Sequence, residues 1–451
     1  MNRDMTRGSV MKSMFLFAIP MILGNLLQQC YNIADTLIVG KYLGKNALAA
    51  VGSSFTLMTF LTSILLGLCM GSGTFFSIRF GERDEKSLKE GICASFALIF
   101  FLTILLNLLA YFFLDGIEVF MKVPKEVWGE MRAYLAVIFG GIFATFLYNY
   151  FASLLRALGN SLIPLVFLAV STVLNILLDL WFVTGLKWGV AGAAAATVIA
   201  QYISGIGISF YAFARVPYLK IPKKERRVRG ECLREIANFS VLTCIQQSVM
   251  NLGILMVQGL VNSFGSVVMA AFAAAVKIDA FAYMPVQDFG NAFSTFIAQN
   301  HGAGRQERVR EGFRGAVFAS SAFGVIVSAL VFIFARPLMA MFVDAGGEDI
   351  IEEGVRYLRI EGVFYCGIAC LFLLYGLYRA LGKPEMSVVL TVFSLGTRVV
   401  LAYLLSKIPA LGVIGIWWSV PIGWFLADVV GFAYYFVYGK REQRRRESEK
   451  F

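Results

Sequence analysis

Histidine is nearly absent: the 451 residues include one, His301. A single imidazole excludes the membrane enzymes that hold a metal through several histidines. Charge is scarce as well. Asp, Glu, Lys and Arg make up 15% of the chain, against about 25% in soluble domains, which excludes a soluble enzyme and a disordered chain. Of the seven cysteines, Cys30, Cys69, Cys93, Cys244, Cys366 and Cys370 sit in apolar stretches, where a thiol packs as a small core residue, and Cys232 falls in a basic loop. No structural disulfide or metal is expected, so a secreted disulfide scaffold is excluded too. Met1 to Met11 carries no cleavage-site pattern, and no leader is expected to be removed.

Apolar residues are abundant. They make up 58% of the chain, with 41 Phe and 43 Gly, and the mean hydropathy is +0.72. A bilayer-spanning helix takes about 20 such residues. Twelve apolar runs fall at 13–40, 47–78, 91–114, 131–155, 161–184, 189–214, 236–262, 267–299, 313–335, 351–378, 385–406 and 411–438. The expected fold is an all-α integral membrane protein with twelve transmembrane helices. The formal charge is +11, but the basic residues lie in short loops, a pattern that sets membrane orientation and does not call for nucleic acid. With both termini in the cytoplasm, about 28 of the 40 Lys and Arg residues fall on the inner side and about nine on the outer.

The chain repeats itself. Arg156-Ala-Leu-Gly returns as Arg379-Ala-Leu-Gly, and Gly189-Val-Ala-Gly answers Gly412-Val-Ile-Gly, both 223 residues apart. Gln28-Gln29 is matched by Gln246-Gln247, and Gly81 to Gly91 by Gly302 to Gly312. Residues 1–214 therefore read as a six-helix lobe, 215–234 as a basic cytoplasmic linker, 235–438 as a second six-helix lobe and 439–451 as a basic cytoplasmic tail. An even number of spans per copy inserts both copies the same way up, with the symmetry axis along the membrane normal. Two pseudo-symmetric lobes around a central cavity are expected.

Acids inside such helices are costly and face cavities. The first half places two well inside, Asp35 and Asp179. In the first run Gln28, Tyr31, Asn32 and Asp35 share one helical face; in the fifth, Ser171, Asn175 and Asp179 do; in the sixth, Thr197 and Gln201 are one turn apart. If these helices meet, their oxygens surround one buried point. Loss of water and a second carboxylate nearby both favour the neutral form of a carboxyl group, so the pair could bind and release a proton; the same hard oxygens suit sodium. The plainer reading is interhelical packing glue, for which a neutral Asn would cost less.

The second half embeds Lys277, Asp279, Asp288, Arg359, Glu361 and Arg398, three charges of each sign. Lys277 and Asp288 lie about 20° from one helical face, which suits internal pairing, with substrate contact as the other reading. Arg398 and Ala402 occupy the repeat positions of Asn175 and Asp179, so the acidic pair is not duplicated. The Arg-Ala-Leu-Gly turns read as cytoplasmic anchors with glycine caps, and His301 as a solvated loop residue. Pro20, Pro164, Pro285 and Pro421 lie in or at helices, where proline permits a bend. Met250, Phe281, Tyr283, Met284 and Tyr375 either line a pliable cavity or pack in core and lipid.

The run Gln28-Gln29-Cys30-Tyr31-Asn32-Ile33-Ala34-Asp35-Thr36-Leu37-Ile38-Val39-Gly40, with Leu48-Ala49-Ala50-Val51-Gly52, the two Arg-Ala-Leu-Gly turns and the helix from Asn175 to Asp179, resembles the multidrug and toxic compound extrusion (MATE) family. The likeness covers essentially the whole chain and points to prokaryotic members of the DinF-like or a related bacterial type. It implies an antiporter that exchanges protons or sodium for organic cations, with the family's cation site falling on Asp35, Asn175, Asp179 and Thr197. Tyr134 is a weaker match. Gln28, Tyr31, Asn32 and Gln201 would support that site, and Gln246, Gln247, Lys277, Asp279, Tyr283 and Asp288 would face the cavity from the second lobe. The chain departs from the NorM-type branch, which has an acid on helix 7 where Gln246 or Gln247 stands here.

The function expected is secondary active efflux of cationic amphiphiles in exchange for protons or sodium. The protein would work without catalysis and with no cofactor beyond the coupling ion, as a monomer in the inner (plasma) membrane. Its partners would be organic cations and the lipid bilayer, not nucleic acid. A lipid-linked oligosaccharide flippase of the same fold and a non-transporting receptor or scaffold are the alternatives. No repeated filter-like loop supports a channel.

Overall fold

A computed structural model gives the fold of residues 4–116, 125–220, 229–343 and 347–448, with side chains described up to residue 437. Linker residues 221–228 and the side chains of the basic tail lie outside the described residues. Among those described there are helices and no strands. Eleven helices are long and apolar enough to cross a membrane, and one bent pair makes a broken twelfth. Large apolar side chains such as Phe101, Phe112, Phe210, Phe318, Ile333 and Phe425 stand on the outside, while Asp179, Gln299 and Arg379 are buried. Such an inversion of the usual burial is stable where the surrounding solvent is hydrocarbon.

The chain forms two compact units, residues 1–248 with 298–305, and 249–297 with 306–451. The first contains α1 (Val10–Tyr42), α2 (Lys45–Glu82), α3 (Glu85–Phe112), α4 (Lys125–Ala157), α5 (Leu162–Asp179) and α6 (Gly189–Arg215). It also holds the first half of α7 (Gly230–Asn262) and the last turn of α8 (Ser266–Gly302). Glycines make that packing possible: a side chain on Gly71 of α2 would collide with the backbone of Phe239, and one on Gly81 with Gln299. The Ser72 and Ser240 hydroxyls bond at 2.8 Å across the same contact. The amide of buried Met5 donates to Gln299 (3.2 Å), and Asn300 donates to the Met5 carbonyl (3.1 Å), so the N-terminal segment is tied to the end of α8. The packing boundary thus falls within α7, while the sequence repeat begins near its start.

The second unit contains the rest of α7 and α8, then α9 (Gln306–Ala340), α10 (Glu348–Gly362), α11 (Tyr365–Ala380), α12 (Pro384–Leu405) and α13 (Val413–Ser448). The tenth apolar run, expected as one helix, is two: α10 and α11 meet at 52°. No proline marks the break. Phe364 N–H bonds to the Glu361 carbonyl, a tighter i to i+3 step, and the Tyr365 hydroxyl is held by Asp279 of α8. Tertiary contacts therefore impose this bend.

Both Arg-Ala-Leu-Gly turns do end in left-handed glycines, Gly159 (φ 83°) and Gly382 (φ 75°), and the next amide returns to the helix in each: Asn160 to Leu155 and Lys383 to Tyr378. Arg379, however, is no solvated anchor. It is 5% exposed and donates to Asn291. Two more expectations fail locally. Cys232 is buried at the start of α7, against the Ser87 carbonyl, and His301 is half-buried in the last turn of α8, not in a loop. All seven cysteines are free.

Candidate functional site

In the first unit α1 packs against α5 and α6, and α4 against α6. Gly24 of α1 lies against Leu168 and Leu165 of α5. The polar faces of the first, fifth and sixth spans therefore point at one another. Asp179 is the last α-helical residue of α5 before the wider turns of a π-helix, Leu180–Gly185. Such bulges re-aim side chains and recur at functional positions.

Asp35, Asn175, Asp179 and Thr197 are buried, at 8%, 2%, 0% and 5% exposure. Asn175 donates its amide to Thr197 Oγ1 at 3.2 Å, and the Tyr31 hydroxyl meets the same oxygen at 3.1 Å. Asp35, Tyr31 and buried Tyr134 lie within electrostatic reach of Asp179. The notable fact is what these groups lack: Asp35 Oδ1, Asn175 Oδ1 and both carboxylate oxygens of Asp179 are buried with no hydrogen-bond partner. None of the described ion pairs includes either acid. Native interiors satisfy nearly all such atoms, so a cluster of acceptors without a protein donor suits a donor or a cation.

The supporting residues separate. Tyr31 and Tyr134 join the cluster. Asn32 turns to Gln29 (3.2 Å), and Gln28, at the other end of the stripe, is exposed. Gln201 meets Thr145 of α4 at 3.3 Å and lies against Gly141; Ser171 bonds the Ala200 carbonyl at 3.0 Å. Gln246 and Gln247 pack in the first unit, where the Gln247 amide contacts Met70.

The second unit gathers its charges elsewhere. Asp279 accepts from Tyr357 (2.7 Å) and Tyr365, with Arg398, Glu361 and Tyr283 within electrostatic reach. The proposed pairing of Lys277 with Asp288 does not form. Eleven residues of helix separate them by about 16 Å along the axis, Lys277 is exposed and Asp288 is buried. One embedded acid escaped the sequence reading: Asp428, in the twelfth run, is 9% exposed. Its signal was the same as that of Asp35, a lone acid inside an apolar run.

Among the described residues, eleven spans and one broken span in two units, with unpartnered polar atoms buried in both, describe a multi-pass membrane protein. The family model MatE matches residues 20–181 and 240–404, and the chain belongs to that family of multidrug efflux transporters. It is 30% identical to a Bacillus subtilis protein called "Probable multidrug resistance protein YpnP" over 99% of both chains. A Thermotoga maritima protein, "Probable multidrug resistance protein NorM", is 26% identical, with 96% of this chain and 94% of the relative covered. Among solved structures, a MOP superfamily transporter from Pyrococcus furiosus superposes with a TM-score of 0.90 at 24% identity, covering 96% of each chain. The crystal structure of MATE in complex with MaL6 superposes at 0.89, with the same identity and coverage. These likenesses carry the fold.

Proposed function

We propose that this protein is a secondary antiporter that exports cationic amphiphiles in exchange for protons or sodium ions bound at Asp35, Asn175, Asp179 and Thr197. The observation that carries the reading is the set of orphaned oxygens on three of these residues, buried together with no counter-charge. An ionised oxygen without a donor is costly away from water, and a bound proton or Na+ removes that cost. Tyr31 and Asn175 fix Thr197 between α1, α5 and α6, so filling or emptying the site alters how these helices hold together. That coupling is what an exchanger needs: the ion biases a packing arrangement, and the arrangement biases access for the drug.

Cationic cargo fits a unit whose embedded side chains are acids. Relatives named for multidrug resistance or multidrug export support drug efflux. The protein is placed in the inner (plasma) membrane with both termini inside, where the basic loops hold them, and it works as a monomer. The test is uptake of a fluorescent organic cation into proteoliposomes, with pH and sodium gradients imposed separately. Uptake driven by one gradient alone identifies the coupling ion. No uptake under either gradient would overturn the proposal.

A further inference from the structure

The second unit holds a carboxylate that neither the proposed exchange site nor the Asp279 cluster uses. Asp428 of α13 is nine-tenths buried, and its Oδ1 has no hydrogen-bond partner. Its Oδ2 looks toward Gly367, 3.7 Å from where a side chain on that glycine would begin, and Trp424 Cβ lies 3.8 Å from the same point. Gly367 lies in the first turn of α11, just past the 52° break. The carboxylate therefore lies beside the first turn of a 16-residue helix, next to the break.

Among the described residues no cation stands beside Asp428; α8 and α9 also touch α13, through Phe272 and Phe313, but the nearby Arg310 and Arg314 of α9 face Tyr435. α13 packs on α10, α11 and α12. From α11 the groups near Asp428 are the Cys370 thiol, with Cys366 beside it, and the Tyr375 phenol. Cys370 is also engaged by Ser321 of α9. On α10, Glu353 is turned to Trp417 and Glu361 to the Asp279 cluster; on α12, Arg398 is turned to that cluster as well. None of the described ion pairs includes Asp428. The missing donor on Asp428 Oδ1 makes a bound cation favourable.

We propose that Asp428, facing the start of α11 at the broken tenth span, is a second monovalent-cation site, filled by a proton or by Na+ independently of Asp35 and Asp179. Its use in an exchange cycle rests on the reading above. A change of occupancy there would act at the hinge between α10 and α11, where the chain has already lost regular helix bonding.

Dicyclohexylcarbodiimide, which attacks protonated carboxyl groups in apolar settings, tests this on the purified full-length protein, with adducts located by mass spectrometry. The expected result is an adduct on Asp428 in acid that is lost as pH rises or, at fixed pH, as Na+ replaces K+. The first arm reports a proton site and the second a sodium site. The same response should persist in the Asp35→Asn, Asp179→Asn double variant, and Asp428→Glu should keep it. Labelling that ignores both pH and Na+ would overturn the proposal, as would an Asp428 that never labels while Asp35 or Asp179 does. Because labelling is read residue by residue, failure at Asp428 is distinguishable from failure at Asp35 and Asp179.

Discussion

Both units bury two interacting acids, yet they treat them differently. In the first, Asp35 and Asp179 have no cation beside them and three of their oxygens accept nothing. In the second, Asp279 receives two phenol hydroxyls, and Arg398 stands within electrostatic reach of Asp279 and Glu361. The repeat explains how this arose. Arg398 occupies the position that answers Asn175, so one copy carries a built-in counter-ion where the other carries an amide. A duplicated scaffold thus holds one acid pair with no cation near it and another with an arginine within electrostatic reach, in which Glu361 Oε2 is nevertheless unpartnered.

The contrast predicts opposite responses to neutralising an acid. Asp35→Asn and Asp179→Asn should each abolish ion-driven drug export while the purified protein stays monodisperse by size exclusion. Asp279→Asn should leave export in place; its loss in a well-folded Asp279→Asn protein would erase the distinction. Arg398→Leu should act on stability first. It strands two buried acids, and breaking a buried charge set by removing one partner costs about 3–5 kcal/mol, read as a lower melting temperature in detergent. A smaller loss, about 1–3 kcal/mol, is expected for Tyr365→Phe, which removes one donor from Asp279 and loosens the bend between α10 and α11.

The smallest effect lies outside the membrane. Asp84 caps α3 by accepting the Ser87 amide at 3.0 Å, and Asp84→Ala should cost about 1 kcal/mol without altering transport. The bonds from Ser87 hold the Asp84 carboxyl below its ordinary range. Its contribution is therefore present above the usual Asp pKa and is lost as pH falls through the lowered value, a loss absent from the Ala variant in acid melts.

Much of this was legible in the residues. Hydrophobic length alone found all twelve spans, because a bilayer demands it. The helical stripes found Asp35, Asn175, Asp179 and Thr197, since period 3.6 decides which side chains share a face. What stayed hidden depends on neighbours. The break before Tyr365 has no proline or cap to announce it and follows from Asp279, far away in the chain. Gln201 lies one turn from Thr197, but the twist of α6 gives it to Thr145 of α4. Lys277 and Asp288 share a face without sharing a height, a distinction that angular spacing omits.

Drug-driven ion movement reads ion exchange at the first unit's acids most directly. Proteoliposomes loaded with a fluorescent organic cation and held without any imposed ion gradient should move protons or Na+ against the departing drug. This counter-flux should be present in the native protein and lost in both Asp35→Asn and Asp179→Asn. Counter-flux of native size in either variant would contradict it.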